Sequence, residues 1–301
     1  MMGVIQCEDL TKFYGKIKAI DHLSFKIEEN KITGLIGRNG SGKTTLLKMI
    51  AGYLKPTSGE LNVFSGKPFN SLAVSANSIF IDDTMTFPDS LTLSDILTEV
   101  APFYANWNSS LANGLFDYYS FNPQQPHSNL SKGTKSTFNS ILGIASRCPL
   151  TILDEPTTGM DSAVRKDFYR ALLKDYLEYP RTIIISSHLL SEIEELLEDI
   201  LLINQGAKCL HLSVMELKEL AVGIRGNAQV VLSFVEGKEI LYQEDFTKGS
   251  LYVVIRRNLI EQQFELIKQS GLELFPVSTD DLCIYLTANT KGGIGDVFSR
   301  G

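Results

Sequence analysis

The chain has 301 residues, a hydrophobic share of 44% and a formal net charge of −7. That length suits one large domain with a small one, or two medium ones. The acidic balance gives no global basic field for a nucleic acid, so no nucleic-acid partner is expected, and no run of about 18 apolar residues offers a membrane span. Cys7, Cys148, Cys209 and Cys283 are far apart and show no metal-ligand spacing. Free, buried thiols in a reducing compartment are therefore expected. Met1-Met2-Gly3-Val4 opens without a basic segment before an apolar core, so no signal peptide is expected and a cytosolic location is. Any membrane role then needs a partner.

Residues 4–7 and 23–27 read as strands. Residues 31–36 are a short apolar run that reads as a buried strand, and residues 45–52 read as a helix that Gly52 closes. Between these two stands Gly37-Arg38-Asn39-Gly40-Ser41-Gly42-Lys43-Thr44. It fits the phosphate-loop pattern of Gly, four residues, then Gly-Lys-Ser/Thr. Its glycines let the backbone curl so that successive N–H groups point into one concavity, and the helix that follows adds the partial positive charge of its N-terminus. Lys43 is placed to reach the β- and γ-phosphates, and the Thr44 hydroxyl to ligate Mg²⁺. Nucleotide binding is the expectation, with Thr45 completing the loop's contacts.

Residues 59–66 and 78–82 read as further strands. Residues 91 to about 145 carry helical spacing (Leu93, Ile96, Leu97, Val100) and no good strand appears before Leu150. A helical insertion of about 85–147 is predicted. Residues 151–153 and 182–186 are short apolar strands of the kind a covered parallel sheet requires. Residues 191–197 read as a helix and 200–203 as a last strand. Beyond about residue 222 the pattern changes. Residues 230–234, 251–255, 274–277 and 282–286 read as strands, and 258–269 as a helix closed near Gly271. The expected organisation is a nucleotide-binding α/β domain over 1–221 and a small α+β domain over 222–301, the latter without a chemical motif. The glycine-rich tail from Thr290 is expected to be mobile.

Residues 150–155 form an apolar strand that ends in two acids, Asp154 and Glu155. Downstream of a phosphate loop, such a pair is the second half of a Mg-nucleotide site. Asp154 would hold Mg²⁺, and Glu155 would polarise the water that attacks the γ-phosphate. Leu130-Ser131-Lys132-Gly133-Thr134 precedes a helical stretch that runs to about residue 146. Ser131 is either that helix's cap or, with the Gly133 N–H and the helix N-terminus, part of an anion site.

Taken in order, these motifs resemble the ATP-binding subunit of ABC transporters over residues 4 to about 210. Tyr14, in Lys12-Phe13-Tyr14-Gly15, matches the aromatic that stacks on adenine. Residues 130–134 match the family signature, usually Leu-Ser-Gly-Gly-Gln, and 150–155 the acidic strand. Asp161, in Gly159-Met160-Asp161, matches the loop that crosses the dimer interface. His188, in Ser186-Ser187-His188, matches the switch histidine that hydrogen-bonds the γ-phosphate. Residues 278–287 resemble the closing segment of exporter-type subunits that pair with separate membrane proteins.

Two departures stand out. Lys132 and Thr134 replace the usual Gly and Gln of the signature, while Ser131 and Gly133 are kept. The glutamine expected after the strand at 78–82 is absent. Asp82-Asp83-Thr84 stands there, and Asp83, or Asp82 if the alignment slips by one, would face Mg²⁺ instead. The resemblance implies a phosphate-loop α/β core with an N-terminal antiparallel β element and a helical insertion. It implies ATP and Mg²⁺ as ligands and a head-to-tail pair with a copy of the chain or a related subunit. A membrane-spanning permease is the expected partner, at the cytoplasmic face of the cell membrane. The rivals are a non-transport ABC ATPase and a nucleotide-gated regulatory module.

Overall fold

The computed structural model describes residues 3–247, 249–257, 267 and 270–288. It divides into two compact units, Met1–His211 and Leu212–Gly301. In the first unit β1 (Gly3–Tyr14) and β2 (Ile17–Glu28) form a hairpin. There follow β3 (Ile32–Ile36), α1 (Lys43–Ile50), β4 (Ser58–Val63), α2 (Leu72–Asn77) and β5 (Ser78–Ile81). Three helices come next: α3 (Leu93–Val100), α4 (Ser109–Tyr118) and α5 (Lys132–Ala145). The unit closes with β6 (Leu150–Asp154), α6 (Ser162–Glu178), β7 (Thr182–Ser187), β8 (Asp199–Asn204) and β9 (Ala207–Ser213).

Two sheets result. β2-β1-β4 is antiparallel, and a six-stranded sheet runs β5-β6-β7-β3-β8-β9. From β5 to β8 the pairing of the second sheet is parallel. Every residue of β3, β5, β6 and β7 is buried, which is why these segments read as unbroken apolar runs. Parallel register brings the ends of these strands to one edge, where Ile36 pairs with Ser187 and Asp154 with Ser186. Ligands of open α/β sheets bind at that edge. Leu46, Leu47, Met49 and Ile50 of α1 share a core with Ile5, Leu10, Ile20 and Leu23 of one sheet and Ile184 and Leu201 of the other. Each such buried side chain contributes about 1.5–3 kcal/mol. The phosphate-loop helix is thereby clamped between two sheets.

The helical insertion is built around Phe138 of α5, which is fully buried. Its ring lies 5.6 Å from Phe121, 6.4 Å from Phe116 and 6.5 Å from Phe87, at edge-on angles favoured by aromatic quadrupoles. His127 is buried beside it, bonds Asn139 through Nε2 at 2.9 Å, and burial holds its pKa below the usual histidine value. Residues 136–145 of α5 are buried on all sides, because the helix packs against α4, α6, β5 and β6 at once.

The second unit holds α7 (Val214–Glu219), β10 (Ala221–Asn227), α8 (Ala228–Val235), β11 (Ile240–Thr247), β12 (Ser250–Arg256), β13 (Glu273–Pro276) and a closing helix, Thr279–Thr287. Its sheet runs β11-β12-β10-β13, antiparallel throughout. The division falls near the end of β9, between His211 and Leu212, and α7 packs on β10 of the second unit.

Three sequence expectations need correction. Residues 230–234 are helix, not strand. Asn227 caps α8 by accepting from Gln229 N–H, and Val231 and Val235, four apart, face the core. Residues 282–286 are also helical, capped by Ser278, which accepts from Asp281 N–H at 3.1 Å. A short apolar run fits either period, and in both places the cap decides. Residues 191–197 form two single 3₁₀ turns, Leu190–Glu192 and Glu194–Leu196, in place of a helix. The helix expected over 258–269 and the tail from Thr290 lie outside the described residues, apart from Ile267. All four cysteines are free as expected, but Cys209 is exposed.

Candidate functional site

The loop between β3 and α1 is forced into its curl by close approaches. A Cβ at Gly37 would sit 2.5 Å from the carbonyl oxygen of Ile203, and one at Gly42 would sit 2.5 Å from that of Ala19. Gly40 and Gly42 have φ of 81° and 105°, a region open to glycine. Ser41 N–H closes a turn onto the Arg38 carbonyl at 3.0 Å. Lys43 is buried and folds back across the loop, with Nζ donating to the Gly37 carbonyl at 2.7 Å and paired with Glu155 Oε1 at 3.2 Å.

Asp154 and Glu155 leave the tip of β6 in different environments. Asp154 is buried, and desolvation raises its carboxyl above the usual range. Hydrogen bonds from Ser186 and Thr44 oppose that rise. Ser186 on β7 serves both acids. Its hydroxyl donates to Asp154 Oδ1 at 2.5 Å and accepts from Glu155 N–H at 2.9 Å. Glu155 takes a left-handed φ of 49°, which turns its side chain out of the strand direction. Its Oε2 lies 2.8 Å from Nδ1 of His188. Sequence reading missed Ser186; a hydroxyl ending an otherwise apolar strand was its only signal.

These groups border one cavity of about 530 Å³. Of the sequence-derived site residues, Tyr14, Asn39, Gly40, Ser41, Gly42, Lys43, Thr44, Thr45, Asp83, Asp154, Glu155 and His188 line it. Ile17, Lys18, Ala19 and Thr158 line it too and were not anticipated. Gly37 forms the base of the loop. Tyr14 is exposed at the rim, with Lys12 Nζ 5.3 Å from the ring centroid. Asp82 points elsewhere: its Oδ2 lies 3.6 Å from Lys48 Nζ, and its carboxylate accepts from Thr84. Asp83 pairs with Lys132 at 3.0 Å. Of the two acids the sequence offered, Asp83 is the one that borders the cavity.

Ser131, Gly133 and Asp161 are not on this cavity. They border a second one of about 280 Å³ with Thr134, Gly159, Met160 and Tyr119. Of the two readings left open for Ser131, the structure shows the cap: its Oγ accepts from Thr134 N–H at the start of α5. Asp161 caps α6, accepting from Ala163 and Val164 N–H at 2.9 and 3.0 Å. Gly133 lies so close to the 159–161 loop that a Cβ there would overlap the Gly159 carbonyl oxygen. Ser136 Oγ donates to the Thr158 carbonyl at 2.8 Å and holds the same junction.

The residues present fit a nucleotide with a hard cation. The loop backbone and α1 N-terminus form the anion cradle, and Ser41 Oγ within it is buried with no partner among the described residues. Thr44 and Asp154 supply oxygen donors, as Mg²⁺ requires. No cluster of three or more His, Cys, Asp or Glu is poised to hold a metal among the described residues.

A glycine cradle between buried strand and helix, with an acid-tipped strand two positions away across β7, defines the chain as a phosphate-loop nucleotide-binding protein. Comparison with known proteins narrows that class. The model of the ABC transporter family matches residues 20–158. The bacitracin transport ATP-binding protein BcrA of Bacillus licheniformis is 32% identical over 209 residues, which is 68% of this chain and 68% of that protein. The uncharacterized ABC transporter ATP-binding protein YdbJ of Bacillus subtilis (strain 168) is 28% identical over 290 residues, 91% of each chain. A solved ATP-binding subunit of an ABC transporter shares the fold with a TM-score of 0.64 at 20% identity, over 71% of this chain and 92% of its own. A dimeric ATP-binding cassette in a post-hydrolysis state, bound to ADP and Pi, gives 0.60 at 20% identity over 70% and 98%. The chain belongs to the ABC transporter family, as one of its ATP-binding subunits.

Proposed function

We propose that the chain binds ATP with Mg²⁺ in the larger cavity, hydrolyses it in a head-to-tail pair, and drives transport through a separate membrane-spanning permease. The carrying observation is the separation of the two half-sites. Lys43, Thr44, Asp154, Glu155 and His188 converge on one cavity, while Ser131, Gly133 and Asp161 gather at another. A complete site therefore takes its second half from another subunit, a copy of this chain or a related one. No helix among the described residues is long and apolar enough to cross a membrane. This reading sets the chain beside a separate permease, at its cytoplasmic face.

In this reading the loop N–H groups and the α1 N-terminus hold the phosphates, Lys43 spans the β- and γ-positions, and Tyr14 stacks on the base. Thr44, Asp154 and the cavity-lining Asp83 hold Mg²⁺, which when bound neutralises charge on the phosphate oxygens. Glu155 accepts the proton of the attacking water. His188, bonded to Glu155, fixes the direction of that carboxylate and contacts the γ-phosphate. Ser131 and Gly133 close on the nucleotide of the opposite subunit. Purifying the tagged chain from detergent-solubilised membranes tests this: a co-purifying permease that alters phosphate release supports it. Recovery of the chain alone, with phosphate release indifferent to membranes, sinks it.

Two expected outcomes follow for particular regions. Asp83→Gln raises the Mg²⁺ concentration needed for half-maximal hydrolysis, because a neutral amide is a poorer partner for a hard cation than a carboxylate. An unmoved Mg²⁺ titration would leave that segment a permease contact only. A chain ended after Ser213, which keeps β9 whole, retains ATP affinity but loses dimer stability or regulation, since the second unit has its own core around Ile224, Val253 and Ile255. Loss of ATP binding by the folded truncated chain, read by calorimetric titration, would contradict this.

A further inference from the structure

The two departures from the family pattern touch each other. Lys132, in the signature, and Asp83, in place of the glutamine, form an ion pair at 3.0 Å. Lys132 is the first residue of α5, and its stem passes beside Gly159, where a Cβ would lie 3.4 Å from Lys132 Cγ. Both partners are partly exposed, at 61% and 42%, so their attraction alone adds little to stability. Their position matters more. Asp83 borders the nucleotide cavity, whose walls carry Lys18 and Lys43 against Asp83, Asp154 and Glu155. The bare wall is thus formally negative by one charge, where a polyanion must enter. Lys132 makes the signs equal.

We propose that Lys132 is a positioning residue for the chain's own nucleotide site, holding Asp83 as a compensated pair so that ATP meets a neutral rather than an acidic loop after β5. Lys132 thereby belongs to two half-sites at once. Its neighbours Ser131 and Gly133 serve the second cavity, while its ammonium serves the first. The inference rests on the nucleotide reading of that cavity.

The test is calorimetric titration of the full chain with ATP in the presence of a chelator, which removes any contribution from Mg²⁺ at Asp83. Lys132→Ala is expected to weaken binding about threefold to tenfold, the size of one unit charge acting through screened solvent at this range. The loss shrinks as salt is raised. Lys132→Arg keeps wild-type affinity. Asp83→Asn added to Lys132→Ala restores affinity to at least the wild-type level, because the acid that needed compensation is gone. Thermal melts confirm that each variant is folded, and Lys132→Gln replaces the alanine variant if that one melts early. Unchanged affinity in Lys132→Ala overturns the proposal. So does a double variant as weak as Lys132→Ala alone, which would mean that the lysine acts by a route independent of Asp83. If the wild-type chain itself fails to bind ATP, it is the nucleotide reading that falls.

Discussion

Lys43→Ala is expected to abolish measurable ATP binding at micromolar protein, a loss of about a hundredfold or more in affinity. The lysine is buried and held over the loop by the Gly37 carbonyl, so its ammonium is already placed where the phosphates must lie. A charge-assisted hydrogen bond to an anion contributes about 1.5–3 kcal/mol, and this ammonium has three donors to distribute. The substitution also leaves Glu155 Oε1 without its cation, adding repulsion toward the γ-phosphate. Both effects have the same sign. Calorimetric titration with ATP reads the result, and an affinity near wild type would place the nucleotide elsewhere on the chain.

Glu155→Gln is expected to do the opposite to binding and more to turnover. Hydrolysis falls by about 10²–10⁴-fold, the contribution of a placed general base. The amide keeps the shape of the side chain and its contact with His188, but it cannot take the proton of the attacking water. Removing one negative charge beside Lys43 leaves ATP binding at least as tight as before. With binding intact and chemistry stopped, an ATP-bound pair of subunits accumulates, visible as a dimer on size exclusion only when ATP is present. Wild-type phosphate release from this variant would remove Glu155 from the role of base.

The phosphate loop was legible because its glycines are demanded by local contacts that recur wherever a backbone must wrap phosphate. Its neighbours Ile203 and Ala19 enforce that demand, but the loop's own spacing announces it. The buried parallel strands were legible for a similar reason, since burial on both faces leaves no polar position to interrupt the run. The second unit was less legible. Its residues 230–234 and 282–286 are too short for periodicity to separate helix from strand, and the side chains of Asn227 and Ser278 at their starts settle the matter. Ser186 and the Asp83–Lys132 pair were hidden for another reason: each depends on which strand ends and helix starts the topology brings together. Spacing along the chain carries no trace of that.

A Cβ at Gly133 would overlap the Gly159 carbonyl, so backbone meets backbone there. Ser136 and the stem of Lys132 flank that junction, and close-packed backbone transmits displacement rather than absorbing it. The turn after β6 that carries Glu155 leads into residues 159–161, and the start of α5 rests on them. In the proposed head-to-tail pair, a shift that follows cleavage at one subunit's acids would be delivered to the surface proposed to face the other subunit's nucleotide. The two chambers would then fire as one escapement, each stroke setting the readiness of the next.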